Sequence, residues 1–224
     1  MEKISISILN ANLINIESEL NILKEMGIKR IHLDIIDTGF ANNISFGPSF
    51  INQIIEYDFI FDLHFMIKNP LKILKAIKLN NRINFIIFHM EIFSENNNNL
   101  PELYEYLLQK RIKIGIAINP ETDAISLFEF LDTNRILVHS VLIMTVTPGF
   151  GGQKCQIKCV EKEKLIRKRI DGIKIGVDGG VTLEVIPNLS KCDYFIIGNA
   201  FFNEKKLEDK KQFIKEVLSE LDCK

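Results

Sequence analysis

Apolar residues along the chain fall into two alternating patterns. Short, β-branched and nearly unbroken runs occupy residues 4–9, 30–36, 60–67, 83–89, 112–118, 140–146, 173–177 and 194–197. A strand with one wet face alternates apolar and polar residues. An unbroken run signals burial on both faces, as in a parallel sheet covered by helices. Between the runs lie amphipathic segments at 14–26, 49–55, 70–79, 100–109, 122–131, 158–168, 183–189 and 206–221. In the first of these Ile14, Leu20, Ile22, Leu23 and Met26 share one stripe, and Gly27 suits its C-terminal cap. Pro70 suits a first helical turn, and Asn69 and Asp123 suit N-caps.

Eight rounds of strand and helix in 224 residues fit an α/β fold of one kind, a single (β/α)8 TIM barrel with little insertion. The rival is a doubly wound open sheet, which usually carries a GxGxxG turn after its first strand. Here that strand runs into Leu9-Asn10-Ala11-Asn12, with no glycine. No linker interrupts the chain, so one domain over residues 1–224 is expected. The four asparagines at 96–99 read as a solvated loop.

Composition narrows the function classes. The chain is 46% hydrophobic and 25% charged, with a formal net charge of -1. Such a balance lacks the basic excess of a nucleic-acid or membrane-surface binder. No long uncharged apolar run is present, so no membrane span is expected. The N-terminus shows no signal-peptide pattern. Cys155, Cys159, Cys192 and Cys223 form no CxxC pair, and free thiols fit a reducing compartment. A cytoplasmic protein is expected. Cys155 and Cys159 sit four apart on a predicted helix, where packing is the default role.

Catalytic groups of a barrel gather where strands finish. Ser7 lies on the first strand; the second carries His32, Asp34 and then Asp37. The third carries Asp62, His64 and Met66, and the fourth ends in His89-Met90-Glu91. Met144 lies near the end of the sixth, Asp178 ends the seventh, and Gly198-Asn199 follow the eighth. Residues two apart on a strand share a face. His32 and Asp34 can therefore point together into the lumen, where His64 and Asp178 can join them. Two imidazoles and two carboxylates suit a divalent transition metal such as zinc or iron. Hydrogen-bonded core histidines are the alternative reading. A buried carboxylate without a partner is costly, which makes Asp34 and Asp178 harder to assign to the core. His89 reads as structural and His139 as exposed at a strand start.

Glycines mark a second feature. Pro148-Gly149-Phe150-Gly151-Gly152-Gln153 follows the sixth strand, Gly179-Gly180 the seventh and Gly198 the eighth. A Gly-Gly pair is often a simple turn. Three such loops on consecutive barrel strands point instead to backbone amides cradling a phosphate.

Together these segments resemble the ribulose-phosphate 3-epimerase family. The matches are Ser7-Ile-Leu-Asn, His32-Leu-Asp34-Ile-Ile-Asp37, Asn43-Ile-Ser-Phe-Gly47-Pro48, Asp62-Leu-His64-Phe-Met66, Phe88-His89-Met-Glu91 and Asn119-Pro120-Glu-Thr122. They continue with Met144-Thr-Val-Thr-Pro-Gly-Phe-Gly-Gly-Gln153, Val177-Asp178-Gly-Gly180 and Gly198-Asn199-Ala200, in family order over almost the whole chain. The resemblance implies interconversion of D-ribulose 5-phosphate and D-xylulose 5-phosphate, in the pentose phosphate pathway, by two-base proton transfer at C3 through a cis-enediolate. It implies that His32, Asp34, His64 and Asp178 bind one divalent metal (zinc first, with iron, manganese or cobalt as options), and that Asp34 and Asp178 are the acid and base. Ser7, His64, Met66 and Met144 would contact the sugar. Gly149, Phe150, Gly151, Gly152, Gly179, Gly180, Gly198 and Asn199 would hold its phosphate. A homo-oligomer, dimer or hexamer, is implied as well.

Some positions depart from the family pattern. Ile36 stands where Met is usual, Thr38-Gly39 follow Asp37 in place of Gly-His, Asn42 replaces a Pro, and Thr147 sits where Asn, Asp or Glu is common. The stretch from Val181 to Gly198 is slightly short. The alternatives are an epimerase of a ketohexose 6-phosphate such as D-allulose 6-phosphate, and a non-catalytic barrel that binds a phosphate ligand. A related decarboxylase is disfavoured because no Lys joins the strand-end carboxylates.

Overall fold

Side chains at successive strand positions leave on opposite faces, so closing a sheet turns one face into a lumen and the other into a wall for helices. This is how the unbroken runs are used. The computed structural model describes residues 3–93, 99–189, 191–204 and 206–222, the side chain of Asp222 aside. Its strands are β1 (Ile4–Ser7), β2 (Arg30–Ile36), β3 (Ile60–Met66), β4 (Ile83–His89), β5 (Lys113–Ile118), β6 (Ser140–Met144), β7 (Lys174–Asp178) and β8 (Tyr194–Ile197). They pair in parallel in chain order and β8 returns to β1, closing the (β/α)8 barrel. The helices are α1 (Ile16–Glu25), α2 (Pro48–Ile54), α3 (Pro70–Lys75), α4 (Leu100–Gln109), α5 (Ala124–Asn134), α6 (Lys162–Arg169), α7 (Asn199–Phe202) and α8 (Leu207–Asp222).

The apolar core is accordingly in two pieces. Ile31, Leu33 and Ile35 of β2 and Phe61, Leu63 and Phe65 of β3 belong to the outer layer, with Leu20, Leu23, Ile51 and Leu74 from the helices. A separate inner cluster holds Phe85, Ile87, Ala117, Leu142, Met144, Tyr194 and Ile196. The N-terminal end of the lumen is closed by an ion pair rather than a site. Arg30 Nε donates to Asp62 Oδ2, Ser5 Oγ donates to the same oxygen and Asn84 to its neighbour. The Arg30 guanidinium lies 4.0 Å over the Tyr194 ring. Gly176 leaves room for that ring, since a Cβ there would sit 2.3 Å from it.

Several elements differ from the sequence reading. The segment at 183–189 forms no α-helix but a 3-10 turn over Ile186–Leu189. Pro187 lies inside it and has no N–H for an i→i−4 bond, and the connection is short. The first helix begins two residues later than its pattern, and Ile14 is fully exposed rather than on the buried stripe. Residues 8–10 leave the sheet in a 3-10 turn. Cys155 precedes the 3-10 turn Ile157–Glu161 instead of sitting on a helix; Cys155, Cys159 and Cys192 are buried free thiols. Cys223 and residues 96–98 lie outside the described residues. The caps follow expectation: Gly27 adopts φ 74° after α1, and Asp123 Oδ1 accepts from Ser126 N at 2.7 Å. His139 is half-buried, not exposed, and its Nδ1 accepts from Ile114 N.

Candidate active site

Strand register brings the polar inward residues to one level. Ser7 pairs with His32, Asp34 with His64, and Met144 with Asp178. The ligand-capable atoms of His32, Asp34, His64 and Asp178 all lie within 4.8 Å of one another. Asp34 Oδ1 is 3.2 Å from His64 Nδ1 and 3.4 Å from His32 Nε2. Asp178 Oδ2 reaches the same two nitrogens at 3.5 and 3.7 Å. The other Asp34 oxygen, Oδ2, accepts from Ser7 Oγ at 2.5 Å. Both histidines are fully buried, and the Asp178 side chain is 15% exposed.

The electrostatics follow from this crowding. Burial alone would raise the Asp34 pKa, but the charges and hydrogen bonds of His32 and His64 outweigh it and hold the carboxyl well below the usual range. Burial opposes charge on His64, yet its hydrogen bonds to Asp178 and Asp34 and their charges push it up to about 9. His32 Nε2 faces both carboxylates without a hydrogen-bond partner. An orphaned imidazole nitrogen in a buried set of two nitrogens and two carboxylates fits a divalent cation. The four residues could hold such an ion.

Above the cluster lies a cavity of about 190 Å3 at the C-terminal end of the strands. Ser7, Asp34, Met66, Met144 and Asp178 form its floor side, and Gly149, Phe150, Gly151, Gly152, Gly179, Gly180, Gly198 and Asn199 also line it. His32 and His64 sit beneath, out of the lining. Two glycines are required by the loop geometry. Gly179 and Gly180 have φ of 114° and 61°, and a Cβ on Gly180 would lie 2.4 Å from the backbone nitrogen of Cys155. The loops after β6 and β7 thus meet backbone to backbone, at a distance no side chain allows. Asn43 from the loop after β2 donates to Gly149 O at 2.7 Å, tying a third loop to them. Ile36, Thr38, Asn42 and Thr147, the departures from the family pattern, are not among the cavity-lining residues.

Sequence reasoning passed over some of the site. Asn10, Thr182 and Asn203 line the cavity too. Asn10 ends the 3-10 turn that follows β1 and packs against Gly151; its place just past the first apolar run could have flagged it. His89 is not an isolated structural residue: its Nε2 is 2.8 Å from His64 Nε2, and its Nδ1 is 3.4 Å from Glu91 Oε2.

Comparison with known proteins agrees with this arrangement. The chain matches the ribulose-phosphate 3 epimerase family over residues 3–202. It is 38% identical over 222 residues to the ribulose-phosphate 3-epimerase of Encephalitozoon cuniculi, covering 99% of this chain and 96% of that one. The enzyme of the same name from Bacillus subtilis is 28% identical, with 97% and 98% covered. Among solved structures, 3-keto-L-gulonate-6-phosphate decarboxylase from Vibrio cholerae superposes with a TM-score of 0.66 at 14% identity, covering 98% of this chain and 97% of that one. The 3-hexulose-6-phosphate synthase of Salmonella typhimurium gives 0.65 at 10% identity, with 98% and 99% covered. At those identities the likeness speaks for the barrel alone. The family match and the near full-length relatives go further: this chain is an enzyme of the ribulose-phosphate 3-epimerase family.

Proposed function

We propose that the chain interconverts D-ribulose 5-phosphate and D-xylulose 5-phosphate by moving a proton at C3, with Asp34 and Asp178 as the two bases. The observation that carries this is the convergence of two carboxylates, from β2 and β7, on the floor of one cavity whose rim is built from glycine loops. Inverting a carbon beside a ketone requires removing its proton on one face and returning one on the other. One base cannot reach both faces; two can, and they exchange roles in the reverse reaction. Each aspartate turns one oxygen to the histidines. Asp34 Oδ2 is held by the Ser7 hydroxyl, and Asp178 keeps a partly exposed side chain toward the cavity.

His32, Asp34, His64 and Asp178 would hold a divalent ion, zinc being the metal that suits this donor set first. When bound it supplies Lewis-acid stabilisation of the negative charge that develops on the sugar oxygens. The chain supplies the rest. Met66 and Met144 present apolar sulfur-bearing surface beside the reacting carbon and offer no competing proton, so the enediolate of the sugar is protonated by the aspartates. Backbone amides at Gly149–Gly152, Gly179, Gly180, Gly198 and Asn199 take the phosphate and fix C3 between the two carboxylates. A five-carbon sugar phosphate in the pentose phosphate pathway is the substrate this reading assigns, and comparison of kcat/KM on ribulose 5-phosphate and allulose 6-phosphate tests it. Preference for the six-carbon sugar would overturn that choice. No helix among the described residues is long and apolar enough to cross a membrane. The assignment to the cytoplasm is in line with the rice relative named as a cytoplasmic isoform, and assembly into a dimer or hexamer is read from the family resemblance.

A further inference from the structure

The imidazole of His64 touches the carboxylate cluster through Nδ1 and a second imidazole through Nε2. His89, on β4, is fully buried and packs nearly parallel to His64, with ring centroids 4.9 Å apart. Their Nε2 atoms are 2.8 Å apart. Two ring nitrogens at that distance share one proton, so one donates and the other accepts. The direction is set further out. His89 Nδ1 faces Glu91 Oε2 at 3.4 Å, and the other oxygen of Glu91 is anchored by Asn119 N at 2.9 Å and by the Thr122 hydroxyl. A carboxylate opposite Nδ1 favours a proton on that nitrogen. His89 Nε2 is then an acceptor, and His64 must carry its proton on Nε2. Phe40 lies against the His89 ring at 4.6 Å between centroids and limits its rotation.

We propose that His89, backed by Glu91, is a positioning residue that holds the Nε2 proton of His64, so that Nδ1, which hydrogen-bonds Asp34 in the metal-free site, is the nitrogen that gives up its proton to ligate a metal. This rests on the reading of the four-residue cluster as a metal centre, since the tautomer protonated on Nε2 is the one able to ligate through Nδ1. Outer hydrogen-bond partners of ligating histidines commonly act in this way. Glu91→Gln gives the sharpest consequence. Its amide oxygen would stay on Asn119 N and Thr122, leaving the NH2 group opposite His89 Nδ1. His89 would then accept at Nδ1 and donate from Nε2, and the direction of the chain would reverse onto His64.

The test is zinc affinity by chelator competition in wild type, His89→Phe, His89→Gln and Glu91→Gln, with thermal melting of each metal-free protein alongside. Nitrogen-15 shifts of His64 in the zinc-loaded wild type provide a second readout. The expected result is binding weakened about 10–100-fold in His89→Phe and Glu91→Gln, rescue in His89→Gln through its amide oxygen, and a His64 proton on Nε2. Melting temperatures should stay within about 4 °C of one another. If His89→Phe does not fold, Glu91→Gln carries the test alone. Wild-type binding matched by both weakened variants, or a His64 proton on Nδ1, would overturn the proposal and leave the metal reading standing. Absence of zinc binding in the wild type would overturn both.

Discussion

Asp34 and Asp178 converge on the imidazole of His64, whose Nδ1 lies 3.2 Å from Asp34 Oδ1 and 3.5 Å from Asp178 Oδ2. The two carboxylates come from β2 and β7, separated in the barrel by β1 and β8, so only the closed sheet brings them together. This convergence is the basis for the proposed two-base chemistry, and the two residues are not equivalent. Asp34 is almost wholly buried and hydrogen-bonded on both oxygens, whereas Asp178 is the more accessible.

Asp34→Asn and Asp178→Asn should each lower kcat by about 10²–10⁴ or more, the range that a lost general acid or base costs. Circular dichroism should show both variants folded. A variant with near wild-type turnover would remove that residue from the proton path.

Ser7→Ala removes the donor that holds Asp34 Oδ2. A hydrogen bond to a charged group is worth roughly 1.5–3 kcal/mol, so kcat/KM should fall about tenfold or more. Steady-state kinetics on ribulose 5-phosphate checks this, and an unchanged value would show that Asp34 needs no such anchor.

Gly180→Ala places a methyl group against the backbone of the loop after β6, at a φ of 61°. The strain is of order 1–3 kcal/mol, and the loops after β6 and β7 must separate. KM for the sugar phosphate should rise about tenfold or more, the worth of a lost charge-assisted bond. Inhibition by inorganic phosphate should weaken in parallel. Unchanged phosphate inhibition would place the anion elsewhere.

At the opposite end of the barrel, Arg30→Met leaves Asp62 buried without its cation. Breaking such a pair costs about 3–5 kcal/mol. Urea unfolding should show the loss, while kcat of the folded fraction holds, because this end closes the lumen and does not touch the cavity.

Asp193 provides a pH test away from the site. Burial would raise its pKa, but the Ile175 amide, the Arg167 guanidinium and Lys174 outweigh that and depress it. A carboxyl depressed on folding stabilises above its unfolded pKa and loses that contribution as pH falls through the folded value. Unfolding free energy of wild type should therefore drop more steeply below about pH 4 than that of Asp193→Asn. Parallel curves would contradict the assignment.

Much of this was legible in the sequence because the pleat has a period of two. His32 and Asp34 had to share a face, and a face that carries two polar groups inside an apolar run must meet partners. The continuous runs likewise demanded cover on both faces, which the two separate apolar clusters supply. What stayed hidden depends on contacts between strands. His89 follows an apolar run with no polar neighbour two residues before it, so nothing local marks its bond to His64. Ile14 fits a helical stripe by spacing, yet the chain enters α1 through a 3-10 turn that leaves it in solvent. At 183–189 the apolar spacing of a helix was present, but Pro187 and the short connection to β8 decided the geometry.

The most direct test is exchange of the C3 proton of D-ribulose 5-phosphate with solvent deuterium, followed by NMR with a divalent metal supplied. The account predicts that deuterium enters at C3 as xylulose 5-phosphate forms, and that formation of the epimer slows by about 10²–10⁴ or more in Asp34→Asn and in Asp178→Asn. Epimer formation without deuterium uptake, or no reaction by the metal-loaded wild type, would contradict it.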